Sequence, residues 1–135
     1  MQLKEMLHQI SYTVLQGSDT IEIHAPVYDS RKVSQNDLFV CITGFQTDGH
    51  QYIPMAIEKG ASAILVEHTV ENIPENITVI QTENNRQALA LLSANFYQHP
   101  ANDMHMIGVT GTNGKTSITY LIRSVLVQAG KKTGV

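Results

Sequence analysis

Three short, almost wholly apolar runs constrain this chain more than any other feature. They are Leu38-Phe39-Val40-Cys41-Ile42, Ala63-Ile64-Leu65-Val66 and Ile77-Thr78-Val79-Ile80. Runs of this length and continuity read as strands buried on both faces, the kind found in parallel sheets. Between the first two, Ile53, Ala56 and Ile57 form the inner stripe of a helix that Gly60 closes as a left-handed cap. After the third, Asn84 or Asn85 caps a longer helix over 86–97, which His99-Pro100 ends because the residue before proline avoids the helical region. Leu3, Met6, Leu7 and Ile10 repeat at helical spacing. Ile21-Glu22-Ile23 and the segment around Val27 read as short strands split by Pro26. Strands alternating with helices predict an α/β fold with a mixed or parallel sheet.

With 135 residues, the chain has room for one domain, or for a small domain and part of another. Hydrophobic residues make up 42%, too many for a chain that stays disordered. The single cysteine, Cys41, excludes an internal disulfide and a Cys-based zinc site, and suits a reducing compartment. No apolar run reaches the ~20 residues of a membrane span. Glu5 and His8 interrupt the N-terminal apolar pattern, so it reads as neither a signal nor a transit peptide.

Charge is distributed unevenly. Residues 1–103 carry all twelve acids and five of the nine bases, whereas residues 104–135 carry Lys115, Arg123, Lys131 and Lys132 and no acid. An acid-free basic segment suits an anionic ligand, although Lys131 and Lys132 also fit a helix C-terminus, where the macrodipole favours cations. The dense basic and aromatic clusters of a nucleic-acid binder are missing. The polar, proline-bearing stretch 99–103 marks a domain boundary where the charge changes sign.

Beyond that boundary, 104–110 reads as a strand running into Gly111-Thr112-Asn113-Gly114-Lys115-Thr116. A helix follows, with Ile118, Leu121, Ile122, Val125, Leu126 and Ala129 on one face and Gly130 at its end. Strand, glycine loop, Lys-Thr and helix N-terminus is the context a phosphate loop requires. The glycines let successive N–H groups face inward around phosphate oxygens. The helix start adds free N–H groups and partial positive charge. Lys115 reaches β- and γ-phosphates, and the Thr116 hydroxyl suits Mg²⁺. Val109 departs from the strict pattern, which has its first glycine there. The alternative is an ordinary strand-to-helix turn with a surface lysine.

The loop 108–116 resembles the ATP loop of the Mur ligases, which build the peptidoglycan stem peptide and tolerate a non-glycine at the Val109 position. Folylpolyglutamate synthetases share a similar loop but usually have glycine where this chain has Thr116. A second motif lies upstream: Asp29-Ser30-Arg31-Lys32-Val33, Asp37-Leu38-Phe39-Val40, Gly44 and Asp48-Gly49-His50 resemble the N-terminal UDP-binding domain of the same family. Two motifs in the right order cover nearly the whole chain. Thr112 and the segment 44–49 lie nearer to the members that add the third amino acid than to those that add D-Ala-D-Ala.

The resemblance implies two domains: a UDP-substrate-binding domain over 1–100, and over 101–135 the truncated start of the central ATP-binding domain. It implies that Tyr28, Ser30, Phe45, Gln46 and Thr47 contact the UDP-sugar. It implies that Gly111, Thr112, Asn113, Gly114, Lys115, Thr116 and Ser117 hold ATP, with Lys115 catalytic and Thr116 on Mg²⁺. Asn36 stands where the family commonly has glycine, and asparagine tolerates a left-handed turn. The implied reaction is ATP-dependent amide formation in the cytoplasm. The D-Glu carboxylate of UDP-MurNAc-L-Ala-D-Glu attacks the γ-phosphate, and the amine of a diamino acid, meso-diaminopimelate or L-lysine, displaces phosphate from the acyl phosphate. No protein partner is implied. The chain stops one helix past the loop, so it reads as an N-terminal fragment, inactive alone and weak in ATP binding. The alternatives are a D-Ala-D-Ala-adding ligase and a non-catalytic UDP-binding module. From the residues alone, Arg31 is either a counter-ion to a pyrophosphate or a partner for Asp29. His50 is either a ligand contact or a histidine at a helix start. The other histidines show no metal-ligand spacing.

Overall fold

The apolar runs become strands whose alternate residues face two separate cores. In the computed structural model, which describes residues 1–44 and 47–135, the chain divides into two units, Met1–Pro100 and Ala101–Val135. The first unit contains, in order, α1 (Leu3–Met6), β1 (Thr13–Gln16), β2 (Pro26–Val27), β3 (Leu38–Val40), α2 (Ile53–Glu58), β4 (Ala63–Val66), β5 (Thr78–Gln81) and α3 (Asn85–Phe96). The sheet order is β1-β5-β4-β3-β2. β2 through β5 are parallel, and β1 pairs antiparallel with β5, so the sheet is mixed.

Leu38, Val40, Ala63, Leu65 and Ile80 pack with Leu3, Met6 and Leu7 of the α1 region and with Ala88 and Leu92 of α3. Their neighbours Phe39, Cys41, Ile64, Val66 and Val79 face the other way and pack with Ile53 and Ala56 of α2. The period-two alternation of a strand thus supplies both layers. Each fully buried Leu, Ile or Phe contributes about 1.5–3 kcal/mol. Cys41 lies in the second core, and burial pushes its thiol up to about 12. It is a packing residue and not a reactive one.

The sequence expectation differs from the structure in four places. Ile21–Ile23 is not a strand. The Ile21 carbonyl instead accepts the Leu3 amide, the Ile23 amide donates to the Met1 carbonyl, and Glu22 makes only an isolated bridge to Gln2. Pro26 does not split a strand but opens β2, an edge strand, where a missing N–H is tolerated. β1 carries no apolar alternation and is mostly exposed; only its pairing with β5 makes it a strand. Residues 104–110 form no strand either, because among the described residues no neighbouring strand offers them a ladder.

The turn Pro100–Asp103 spans the boundary between the units, and the helix α4 (Lys115–Gln128) is the regular element of the second. No residue of α4 is buried, and Ile118, Leu121 and Val125 of its apolar face are exposed. No helix among the described residues is long and apolar enough to cross a membrane.

Candidate functional site

Because β2 to β5 are parallel, their carboxyl ends share one edge of the sheet. Ligands of open α/β sheets bind outside that edge. Tyr28, Asp29 and Ser30 follow β2 there, the segment from Cys41 to His50 follows β3, Glu67 and His68 follow β4, and Thr82 to Asn85 follow β5. Of the sequence-derived substrate residues, Tyr28 is 66% exposed. Ser30 is buried and opens the turn Ser30–Lys32, with the Asp29 side chain as its cap. Thr47 is exposed. Phe45 and Gln46 lie outside the described residues.

The ends of the 43–50 loop are fixed by its own backbone. Gly49 N–H donates to the Ile42 carbonyl at 3.0 Å, and Gly44 N–H to the Thr47 carbonyl at 2.9 Å. Gly49 is required for that approach, since a Cβ there would sit 2.6 Å from the Ile42 nitrogen. Asp48 caps the turn Gly49–Tyr52 through the His50 amide.

The β3–β4 ladder opens at this point. Cys41 N–H still donates to the Leu65 carbonyl. The next bond of a parallel ladder would join the Glu67 amide to the Cys41 carbonyl. Side chains serve both groups instead. His50 Nε2 accepts the Glu67 amide at 3.1 Å, and Asn85 Nδ2 donates to the Cys41 carbonyl at 2.7 Å. The Asn85 amide also reaches the Leu65 carbonyl, and its Oδ1 accepts the Thr82 hydroxyl. The Glu67 carboxylate accepts the Thr43 hydroxyl on one oxygen and the Asn85 backbone amide on the other.

His50 Nδ1 lies 2.5 Å from Asp48 Oδ1. The tautomer is therefore fixed: Nδ1–H donates, and Nε2 accepts. Hydrogen bonds from the His50 amide and ring hold the Asp48 carboxyl below the usual carboxylate range. His68 stacks on the His50 ring, with centroids 4.0 Å apart. Asp48, His50 and His68 bring potential ligand atoms within 4.8 Å of one another, a grouping that the sequence spacing does not signal. Both nitrogens of His50 are already engaged, so this trio does not suit a metal ion. Arg31 forks onto Asp29 through two 2.9 Å bonds, and that pairing holds the Asp29 carboxyl down to about 2.

Two open grooves lie elsewhere on the first unit. One, of about 610 Å³, runs from His50 between α2 and the 70–74 segment, with Glu58 and Glu71 on its walls. These carboxylates disfavour an anionic ligand. The other, of about 520 Å³, lies at the C-terminal end of α3 beside Asn95 and His99, away from the carboxyl edge of the sheet.

In the second unit, Gly111 and Gly114 have φ of +151° and +76°. Gly114 is the N-cap of α4 and supplies no side-chain bond. A side-chain-bearing residue would be strained in these conformations. A Cβ at Gly114 would meet nothing within 4 Å, so the space above the loop is open. The first N–H groups of α4 have no intrahelical acceptor. Lys115 Nζ lies over the loop, donating to the carbonyls of Gly111 at 2.5 Å and Thr112 at 3.3 Å. Residues 111–117, including the hydroxyl-bearing Thr116 and Ser117, are all exposed. Free amides, an ammonium and hydroxyls around an open space fit a polyphosphate with its Mg²⁺.

Residues 22–97 match the model of the Mur ligase family, catalytic domain. A UDP-N-acetylmuramoyl-L-alanyl-D-glutamate--2,6-diaminopimelate ligase of Clostridium tetani is 45% identical over all of this chain, which spans 28% of that relative's length. Among solved structures, MurF from Acinetobacter baumannii superposes with a TM-score of 0.69 at 23% identity, over 94% of this chain and 27% of that one. MurF from Thermotoga maritima, solved in complex with ADP, has a TM-score of 0.58 at 28% identity, over 78% of this chain and 23% of that one.

Proposed function

The chain belongs to the Mur ligase family, and from that premise we propose that it is part of an ATP-dependent ligase joining diaminopimelate to UDP-MurNAc-L-Ala-D-Glu. The acceptor assignment follows the named activity of the Clostridium tetani relative. The first unit is the UDP-substrate-binding domain, and the second is the start of the ATP-binding domain of a cytoplasmic enzyme. One observation supports the reading: Tyr28 and Ser30 follow β2, and Thr47 follows β3, at the carboxyl edge of two paired parallel strands.

In this reading Tyr28, Ser30 and the loop residues Phe45, Gln46 and Thr47 bind the uridine nucleotide. The amides from Gly111 to Ser117 cradle the ATP phosphates, and the start of α4 stabilises their charge. Lys115 leaves its loop carbonyls for phosphate oxygens, where its charge counts most as the γ-phosphoryl moves to the D-Glu carboxylate. Phosphorylation turns that poorly electrophilic carboxylate into an acyl phosphate, from which the diamino acid's amine displaces phosphate. Thr116 would hold Mg²⁺, which would supply positive charge against the phosphate oxygens.

The test uses a polypeptide carrying this chain and the remainder of the ligase. Lys115→Ala lowers the rate of diaminopimelate addition about a hundredfold or more, while UDP-MurNAc-L-Ala-D-Glu still binds. Undiminished ligation by that variant overturns the proposal.

A further inference from the structure

Among the described residues, Glu67 alone is hydrogen-bonded to both ends of the 43–50 loop: its carboxylate accepts the Thr43 hydroxyl at 2.8 Å, and its amide donates to His50 at 3.1 Å. The second carboxylate oxygen accepts the Asn85 amide at 2.9 Å. That amide lies at the start of α3, where a negative charge is favoured. The Glu67 carbonyl in turn accepts the Gln81 side-chain amide. One residue at the end of β4 therefore ties together the loop after β3, the end of β5 and the start of α3.

We propose that Glu67 is a positioning residue of the nucleotide site, its carboxylate pinning the 43–50 loop to the start of α3 and so setting the affinity for the UDP end of the substrate. The inference rests on the proposed function and deepens it. Both carboxylate oxygens are engaged, one on each side of the gap between loop and helix. Arg86 adds a second tie from α3, donating to the Thr43 carbonyl at 3.3 Å. The Thr43 side of the arrangement is exposed, and substitution of an exposed hydroxyl alters stability little. Its effect on binding therefore reports on the loop and not on the fold.

The test is calorimetric titration of this chain with UDP-MurNAc-L-Ala-D-Glu. No binding by the unmodified chain overturns the proposed function, and this inference with it. Given that binding, Glu67→Ala and Thr43→Val each weaken affinity roughly five- to tenfold, the net scale of one hydrogen bond. The double variant is no weaker than the weaker single one, because both remove the same tie. Glu67→Gln, whose Oε1 keeps the Asn85 amide while its Nε2 donates to the Thr43 hydroxyl oxygen, stays within about threefold of the unmodified chain. A merely structural glutamate would lower the unfolding midpoint and leave Thr43→Val silent. Should Glu67→Ala fail to fold, Thr43→Val measured against Glu67→Gln carries the comparison. Unmodified affinity in Thr43→Val, or additive losses in the cycle, overturns this inference and leaves the proposed function standing.

Discussion

The side-chain amide of Asn85 donates to the carbonyl of Cys41, 2.7 Å away across 44 positions of sequence. Asn85 is wholly buried. Its amide fills the place where the ladder between β3 and β4 gives out, and its position at the start of α3 fixes that helix to the sheet.

Replacing Asn85 by alanine leaves the Cys41 carbonyl and the Thr82 hydroxyl without their partners. Buried groups left unpaired cost about 1–3 kcal/mol each. Asn85→Ala therefore lowers the unfolding free energy by about 2–4 kcal/mol, read by urea unfolding of the chain. A loss below about 1 kcal/mol contradicts this account of the ladder's end.

Gly49→Ala tests the close approach of the 43–50 loop to β3. The added Cβ meets the Ile42 nitrogen at 2.6 Å and the Ile42 oxygen at 2.9 Å. Both are backbone atoms, which cannot rotate aside. The expected cost is about 1–3 kcal/mol, with weakened binding of the uridine nucleotide. Gly108→Ala is the control, since a Cβ there meets nothing within 4 Å. Equal unfolding midpoints for the two variants contradict the steric argument.

Acid stability follows from Asp29 and Asp48. Both carboxyls titrate lower in the folded chain than the ordinary 3.8. A group depressed on folding contributes stability above its unfolded value and loses that contribution as pH falls through its folded value. For Asp29 the window runs from near 3.8 down to about 2, and for Asp48 it begins at the same point. The melting temperature of the chain accordingly falls across this window. Asp48→Asn, which does not titrate but still accepts the His50 amide, shows a smaller fall. Identical falls in the two proteins remove Asp48 from the explanation.

Much of this was legible in the sequence. The runs at 38–42, 63–66 and 77–80 gave the three central strands, because a strand buried on both faces needs no polar alternation. Gly60 and Asn84 fixed helix ends through local backbone chemistry, whereas α3 ends at Phe96, before the left-handed Gln98 and His99 and ahead of Pro100; the left-handed residue expected at Asn36 is present at φ +63°. The run from Gly111 to Thr116 signalled its loop for the same reason: positive φ and a free helix start are properties of a few consecutive residues. Tertiary structure decided the rest. β1 exists only because β5 lies beside it, and 104–110 forms no strand because, among the described residues, no strand lies beside it. Glu67 carries no motif, and neither the Asp48-Gly49-His50 motif nor the helix start at Asn85 signals the bonds that His50 and Asn85 make. Each acquires its role from groups 17 to 44 positions away, and a bond that chain folding brings together leaves no period or spacing in the sequence to read.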